Sequence, residues 1–523
     1  MQEHPFQRFL DHFVPTAARK FKQLNAAYWI LETTGSSDAA FLKADLDAEL
    51  RFLYHDPETF EQLLRWEKDP TLKDPLLKRQ LNVLLRAFKQ NQIPKALLEE
   101  IAKKEAALAQ SYASFRPTLR GRHVSENDLR DLLKKETDVE LRKEAFEASK
   151  AIGPVLAPQI LDLVHLRNRV AKSLGYSDYF QMQLELAEVD SAWLLKTLEE
   201  VSQTSEAAYA TVLDEISQAL RKKFHVSHLG PWAWSDPFCQ EDPLDTAELD
   251  QVVEGVDIAA ASVRFYHRMG ESVEQVLERS DMLERPGKNQ HAFCINMDRE
   301  GDVRTLNNVR SSIKWLETVL HELGHAIYEM HFDPSLPWLL REPPHMIPTE
   351  AMALLAGRQA YVSDNLRFLV GAGKSSEMIR KSGESLRRRQ LIFSRWVFVM
   401  TYFESELYRN PSQDLNKLWW DLVKKYQGIE VPSRHGRSDW ACKYHIGLAP
   451  VYYFSYLLGE MFASQILEKI TELYDDPLLA TPQSGQFLRD KLFAPGNRMP
   501  WSELVKHVTG HPLTGDAWIR EFR

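Results

Sequence analysis

Cysteine is scarce: Cys239, Cys294 and Cys442 are the only three in 523 residues, and none shares a Cys-x-x-Cys spacing. That excludes a disulfide framework and a cysteine-built zinc site. No run of about 18 apolar residues occurs. The nearest candidate, Val451 to Leu467, is broken by Glu460, so no membrane-spanning helix is expected. The opening Met1-Gln-Glu-His-Pro-Phe lacks the apolar core of a secretory leader. A cytoplasmic location is the expectation, with a leader already removed left open. Charge of one sign is lacking as well. The 65 Lys and Arg stand against 74 Asp and Glu, well mixed and without an acidic tail, for a net −9. This argues against a nucleic-acid binder. There is no Gly- or Ser-rich linker, no internal repeat and no low-complexity stretch. What is present is apolar: 44% hydrophobic residues, with 13 Trp and 25 Phe, enough for a sizeable core.

Apolar residues recur at three- and four-residue spacing, as at Leu46, Leu50, Leu53 and at Leu81, Leu84, Leu85, Phe88, which is the pattern of a helix face turned to a core. Pro57, Pro70, Pro75 and Pro94 cut the stretch from Pro5 to about Gln110 into helices of ordinary length. Arg116 to Arg122 is basic and turn-like. Helices are expected again over Val139 to Val189, with Gly175 past one C-terminus and Ser177 or Asp178 capping the next. Ser191 to Phe224 reads as one long helix. His228 to Phe238, with Trp232 and Trp234, reads as an aromatic loop, either a packed plug or a wall of a substrate site. The best extended signal is Gly287 to Met297 and Val303 to Val309 about Gly301, a hairpin. Helices then end near Asp333, run from Pro348 to Tyr361, Ser375 to Arg409 and Gln413 to Tyr426, and continue from Pro450 to Ile470. A loop with Gly436 fills 428–439. The periodicity therefore predicts a mainly α chain with a minor β-hairpin.

That hairpin leads into Thr318 to Met330, which contains His321-Glu322-Leu-Gly-His325, a His-Glu-x-x-His motif. On a helix, positions i and i+4 stand one above the other. His321 and His325 can therefore hold one Zn²⁺, one per chain, and Glu322 in the turn between them can hold a water and take its proton. A catalytic zinc takes three protein ligands and keeps a fourth position open. Glu350, 25 residues after His325 and near the start of the next helix, is the expected third ligand. A carboxylate there also suits a helix N-terminus, and His345 is a competing donor. His331 lies on another face of its helix and is discounted.

These residues resemble the His-Glu-x-x-His…Glu peptidases of the thimet oligopeptidase, oligoendopeptidase F and angiotensin-converting enzyme group. Leu166-Arg-Asn…Leu-Gly-Tyr-Ser-Asp-Tyr179 is similar to a helical signature in their N-terminal half. Gly287-Lys…His291-Ala-Phe is similar to their substrate strand, and Lys443-Tyr-His445-Ile…Pro450-Val-Tyr-Tyr453-Phe-Ser-Tyr456 to their late histidine–tyrosine segment. The resemblance implies a single peptidase domain over 1–523 in two helical lobes about a deep central channel. It implies a small β-hairpin sheet at the active site and a catalytic core at about 287–470. Glu322 would be the general base, with His445 and Tyr456 donating to the oxyanion. His291, Ala292, Tyr453 and Lys443 would bind substrate: Ala292 by adding the peptide to a strand edge, Lys443 by holding its C-terminal carboxylate. Tyr453 and Tyr456, three apart on a helix, share a face, with His445 on the entering loop. The partners implied are short unfolded peptides, with no nucleic acid or membrane, for a monomer or weak oligomer. Cleavage would be internal or would release C-terminal dipeptides.

Three departures matter. Trp232-Ala-Trp234 stands where converting enzymes have Trp-Ala-Gln, so a carboxylate-binding glutamine is missing. Ser455 stands where their chloride-binding arginine precedes the tyrosine, which puts chloride activation in doubt. Loop spacing leaves Tyr452 as a rival to Tyr453. Two other functions compete: a catalytically inactive peptide-binding relative, and a zinc hydrolase of non-peptide amides. Intact His321, Glu322, His325 and Glu350 weigh against the first.

Overall fold

The computed structural model describes residues 4–244, 248–371, 374–432 and 437–523. It is 69% helical. Among the described residues its only sheets are two antiparallel hairpins of two strands each, so the chain is mainly α, as its periodicity predicts. No described helix is long and apolar enough to cross a membrane. Gly436, placed in a loop by the sequence, lies outside the described residues. The chain divides into two compact units, each gathered from separated stretches. The first is Met1–Gln92, Ala247–Gly383 and Leu458–Trp518; the second is Ile93–Thr246, Glu384–Leu457 and Ile519–Arg523.

In the first unit, prolines start helices instead of breaking them. Pro57 and Pro75 occupy first positions, where the missing N–H costs nothing, and Asp56 and Asp74 accept the N–H of Thr59 and Leu77 as caps. With helix Pro5–Thr34 these helices enclose a core of Phe6, Leu10, Phe13, Leu63, Leu84 and Phe88. Each such side chain contributes about 1.5–3 kcal/mol on burial. Helix Pro5–Thr34 ends at Gly35, whose φ is +68°, and Gly287 approaches it with φ +84°. A Cβ on Gly35 would stand 2.5 Å from the Gly287 carbonyl oxygen, so both positions need glycine for conformation and for space. Next along, buried Lys288 donates to the Asp281 carboxylate at 2.8 Å and to the carbonyls of Asp281, Leu283 and Asn307. That knot fixes the segment entering the hairpin. Its strands, Phe293–Asn296 and Val303–Leu306, pair Phe293 with Leu306 and Asn296 with Val303, and both pack on helix Ile313–Met330.

The second unit departs from the sequence reading at a helix break and at the basic turn, among other places. The helix expected over Ser191 to Phe224 is two helices, Ser191–Thr204 and Glu206–Phe224. The break falls at buried Ser205, whose hydroxyl donates to Val201 O at 2.6 Å and accepts from Arg395 Nη2 at 2.8 Å. Arg395, itself buried, also donates to Ser202 O at 3.0 Å. A buried guanidinium must find acceptors, and a serine that turns to supply them competes with its own helix. The basic turn is a second hairpin, Thr118–Leu119 paired with Arg122–His123. Arg120 and Gly121 both have positive φ, as a type I′ corner requires. Of the two candidate caps, Ser177 and Asp178, it is Asp178 that caps helix Tyr179–Leu186 through Gln181 N.

Candidate active site

His321, Glu322 and His325 lie on helix Ile313–Met330, and Glu350 on helix Met346–Gly357. Close packing lets the two helices share a site. A Cβ on Gly324 would stand 2.8 Å from Ala353 Cα, and one on Gly357 would stand 3.2 Å from His321 Cβ. Gly459 backs the carboxylate ligand: a Cβ there would lie 3.1 Å from that of Glu350. One residue on, Glu460 pairs with Arg358 at 3.4 Å. Donor atoms of His321, His325 and Glu350 lie within 4.8 Å of one another, with His321 Nε2 3.8 Å from Glu350 Oε2. Small side-chain shifts close that spacing onto an ion with bonds of about 2.0–2.2 Å. His325 Nδ1 is engaged by Thr349 Oγ1 at 2.7 Å, which orients the ring and leaves Nε2 to the metal. Burial lowers the His321 imidazolium to about 4 and that of His325 well below its usual value, so both rings are neutral, as ligation demands. The donor set fits zinc. Burial, and then the neighbouring Glu350 carboxylate, push Glu322 up to about 8. Near neutrality such a group can both take and return a proton.

The discounted histidine and the competing one are occupied otherwise. His331 Nε2 lies 2.8 Å from buried Glu271. His345 is the N-cap of helix Met346–Gly357, accepting Ile347 N–H at 3.0 Å, and its ring meets that of Trp501. Neither belongs to the donor cluster.

Ala292 lies one residue before strand Phe293–Asn296, not within it, and His291 is exposed. The hairpin bond from Met297 N to Asp302 O sets the alternation: Met297, Ile295 and Phe293 turn their backbone groups to the partner strand. Ala292, Cys294 and Asn296 therefore present theirs to the outer edge. Asn25 of the N-terminal helix caps that edge at the far end, donating to Asn296 O at 3.0 Å.

The remaining predicted residues lie in the second unit. His445 is on a short helix, Tyr444–Leu448, instead of a loop. The helix expected from Pro450 begins only at Phe454, so Tyr453 precedes it and does not share it with Tyr456. The cause is Val451, whose φ of +60° interrupts the helical path. The rings still gather: His445 to Tyr453 is 4.7 Å between centroids, and Tyr453 to Tyr456 is 5.6 Å. Tyr452 meets Tyr456 at 5.1 Å, and Tyr453 faces Lys443, whose Nζ is 5.4 Å from its centroid. Ser455 is buried and donates its N–H to Tyr452 O.

Lys443 is 7% exposed. Its ammonium sits among Phe238, Trp396 and Tyr453 and donates to Gln240 Oε1 at 3.1 Å. Burial lowers it to about 7. Gln240 is missing from the sequence reading, which looks for a glutamine at position 234. Trp234 is instead a buried part of a packed loop, and Arg142 donates to the carbonyls of Trp232, Ala233 and Trp234 at 2.8–3.1 Å. Thr349 is the other omission. Its signal was its place beside Glu350 at the mouth of the ligand helix.

The angiotensin-converting enzyme family model matches residues 1–231 and 234–518, and the model of peptidase family M3 matches 132–332. Angiotensin-converting enzyme of Mesocricetus auratus is 23% identical over 415 residues, covering 71% of this chain and 31% of that protein. The Mus musculus enzyme is 23% identical over 416 residues, with the same coverage. Angiotensin-converting enzyme-like protein Ace3 of Mus musculus is 22% identical over 444 residues, 76% of this chain and 59% of its own length. The chain thus spans about a third of the length of the first two relatives. With its His-Glu-x-x-His helix, its glutamate from the following helix and a family match along nearly its whole length, the chain belongs to the angiotensin-converting enzyme family of zinc metallopeptidases.

Proposed function

We propose that this protein hydrolyses short unfolded peptides and releases dipeptides from their C-termini. The observation that carries hydrolysis is the convergence of His321, His325 and Glu350 beside a buried Glu322. Zinc, when bound, supplies a Lewis acid that polarises the scissile carbonyl and makes water nucleophilic near neutral pH. Glu322 takes the proton of the attacking water on its carboxylate and hands it to the leaving amine nitrogen. The outer-edge backbone groups of Ala292 and Cys294 take the peptide as an added strand, with His291 beside them. His445 and Tyr456 donate to the developing oxyanion; this role rests on the family resemblance.

The preference for C-terminal dipeptides is supported by Lys443. A buried ammonium whose close polar partner is a neutral amide, Gln240, suits an incoming carboxylate, which restores the charge that burial disfavours. Gln240 then takes the part left open by Trp234, and Tyr453 lines the same pocket. The second reading, internal cleavage, draws on the match to peptidase family M3. A quenched peptide incubated with and without chelator tests hydrolysis, and chelator must abolish it. Lys443→Ala separates the two modes: KM should rise at least tenfold for peptides with a free C-terminus and stay unchanged for their amides. Equal losses on both would remove the dipeptidase reading and leave the internal one.

A further inference from the structure

The helix carrying His445 and the helix carrying Tyr456 are joined by residues 449–453, and this link contains a backbone conformation its sequence does not favour. Val451 has φ +60°, in the left-handed region, where a β-branched side chain is a rare and unfavourable occupant. Two buried side chains hold the link and the end of the helix before it. Glu404, 1% exposed on helix Ser376–Arg409, accepts the Val451 N–H on Oε1 at 2.8 Å. Arg167, 2% exposed on helix Gly153–Ser173, donates from Nη2 to Gly447 O at 2.8 Å and to Glu105 at 2.6 Å, and from Nη1 to Tyr408 Oη at 3.3 Å. Burial pushes the Glu404 carboxyl up to about 8, against the pull of the Val451 N–H and of Arg167. In either protonation state Oε1 still accepts the hydrogen bond.

We propose that Glu404 is a positioning residue for the peptidase reaction: it clamps Val451 in the left-handed conformation, so that the tyrosine helix starts at Phe454 and the Tyr453 ring meets both His445 and Tyr456. The proposal rests on the oxyanion role given above to His445 and Tyr456. An ordinary helical or extended Val451 would let the helix begin earlier or the link straighten. Either change rotates Tyr453 and Tyr456 relative to the His445 ring. Glycine occupies the left-handed region without penalty, so a chain with glycine at 451 should have little need of the clamp.

The test uses the full chain, zinc-loaded, with metal content checked for every variant. Glu404→Ala should lower kcat by about 10–100-fold, more than it changes KM, with zinc content unchanged. Glu404→Gln, which keeps an acceptor oxygen, should stay within threefold of the parent. Glu404→Ala/Val451→Gly should recover at least half of the loss on a logarithmic scale. Parent kcat in Glu404→Ala, or no recovery in the double variant, overturns the proposal. If Glu404→Ala fails to fold, the double variant must fold, and its failure counts against the clamp. Tyr456→Phe runs alongside. If that variant is silent, the oxyanion reading is what falls, and the clamp is judged by hydrogen exchange at the Val451 amide. That exchange should be slow in the parent and fast in Glu404→Ala; equal rates overturn it.

Discussion

Thr349→Val is the sharpest probe of how this chain holds its metal. Thr349 is 4% exposed, and its hydroxyl oxygen lies 2.7 Å from His325 Nδ1. With Nε2 committed to zinc, Nδ1 carries the ring proton and donates it to that oxygen. Valine keeps the shape and the β-branch, so the start of helix Met346–Gly357 is little disturbed. What it removes is the only atom of the side chain that can accept. A typical hydrogen bond contributes about 0.5–1.5 kcal/mol net, and a stranded buried N–H costs about 1–3 kcal/mol. The expected loss of metal binding is therefore about 1.4–2.8 kcal/mol, a 10–100-fold rise in the zinc Kd. Competition against a chelator of known affinity at fixed pH reads it directly. Zinc-saturated Thr349→Val should keep kcat within about threefold, because Glu322 is untouched, and Thr349→Ser should restore affinity. An unchanged Kd in Thr349→Val, or equal weakness in Thr349→Ser, would refute the argument that this oxygen orients His325.

The other expectations are briefer. Glu322→Gln should retain zinc while turnover falls by about 10²–10⁴-fold; substantial residual hydrolysis would remove Glu322 as the base. Glu350→Ala should lose zinc and His345→Ala should not, since His345 is spent on the Ile347 N–H; the reverse pattern in metal analysis would reassign the third ligand. Lys443 has its ammonium lowered to about 7 by burial, so it is charged below that pH and neutral above it. kcat/KM for peptides with a free C-terminus should fall as pH rises through about 7, relative to the amidated peptides; parallel profiles would show that Lys443 does not bind the carboxylate.

The metal ligands are legible in the sequence because their geometry is local: two histidines one helical turn apart, then a proline-rich reversal and a new helix bearing Glu350. The hairpin is legible for the same reason, from two short apolar runs about Gly301. What escapes the reading depends on distant partners. Nothing about Ser205 announces a helix break until Arg395, 190 residues away, requires its hydroxyl. Nothing about Val451 announces positive φ, since the residue that holds it, Glu404, is 47 positions upstream. Gln240 is invisible as a Lys443 partner because the loop from Trp232 folds through carbonyl bonds to Arg142, which move the useful amide six residues past its expected place. Arg120-Gly121, by contrast, is a hairpin corner whose signal is present in the sequence, with strands too short to give a period.

The interrupted build of the first unit has a consequence for synthesis. All three ligands have left the ribosome once Glu350 emerges, yet residues 458–518 of the same unit have still to be made. Among them are Gly459, seated against Glu350, Glu460, paired with Arg358, and Trp501, against His345. At 5–20 residues per second, the roughly 170 residues from Glu350 to the end of that stretch take about 10–30 s. Throughout that interval the nascent chain carries a complete ligand set with no back wall behind the carboxylate. A chain halted after residue 457 should therefore emerge with every metal-binding side chain and little capacity to retain zinc.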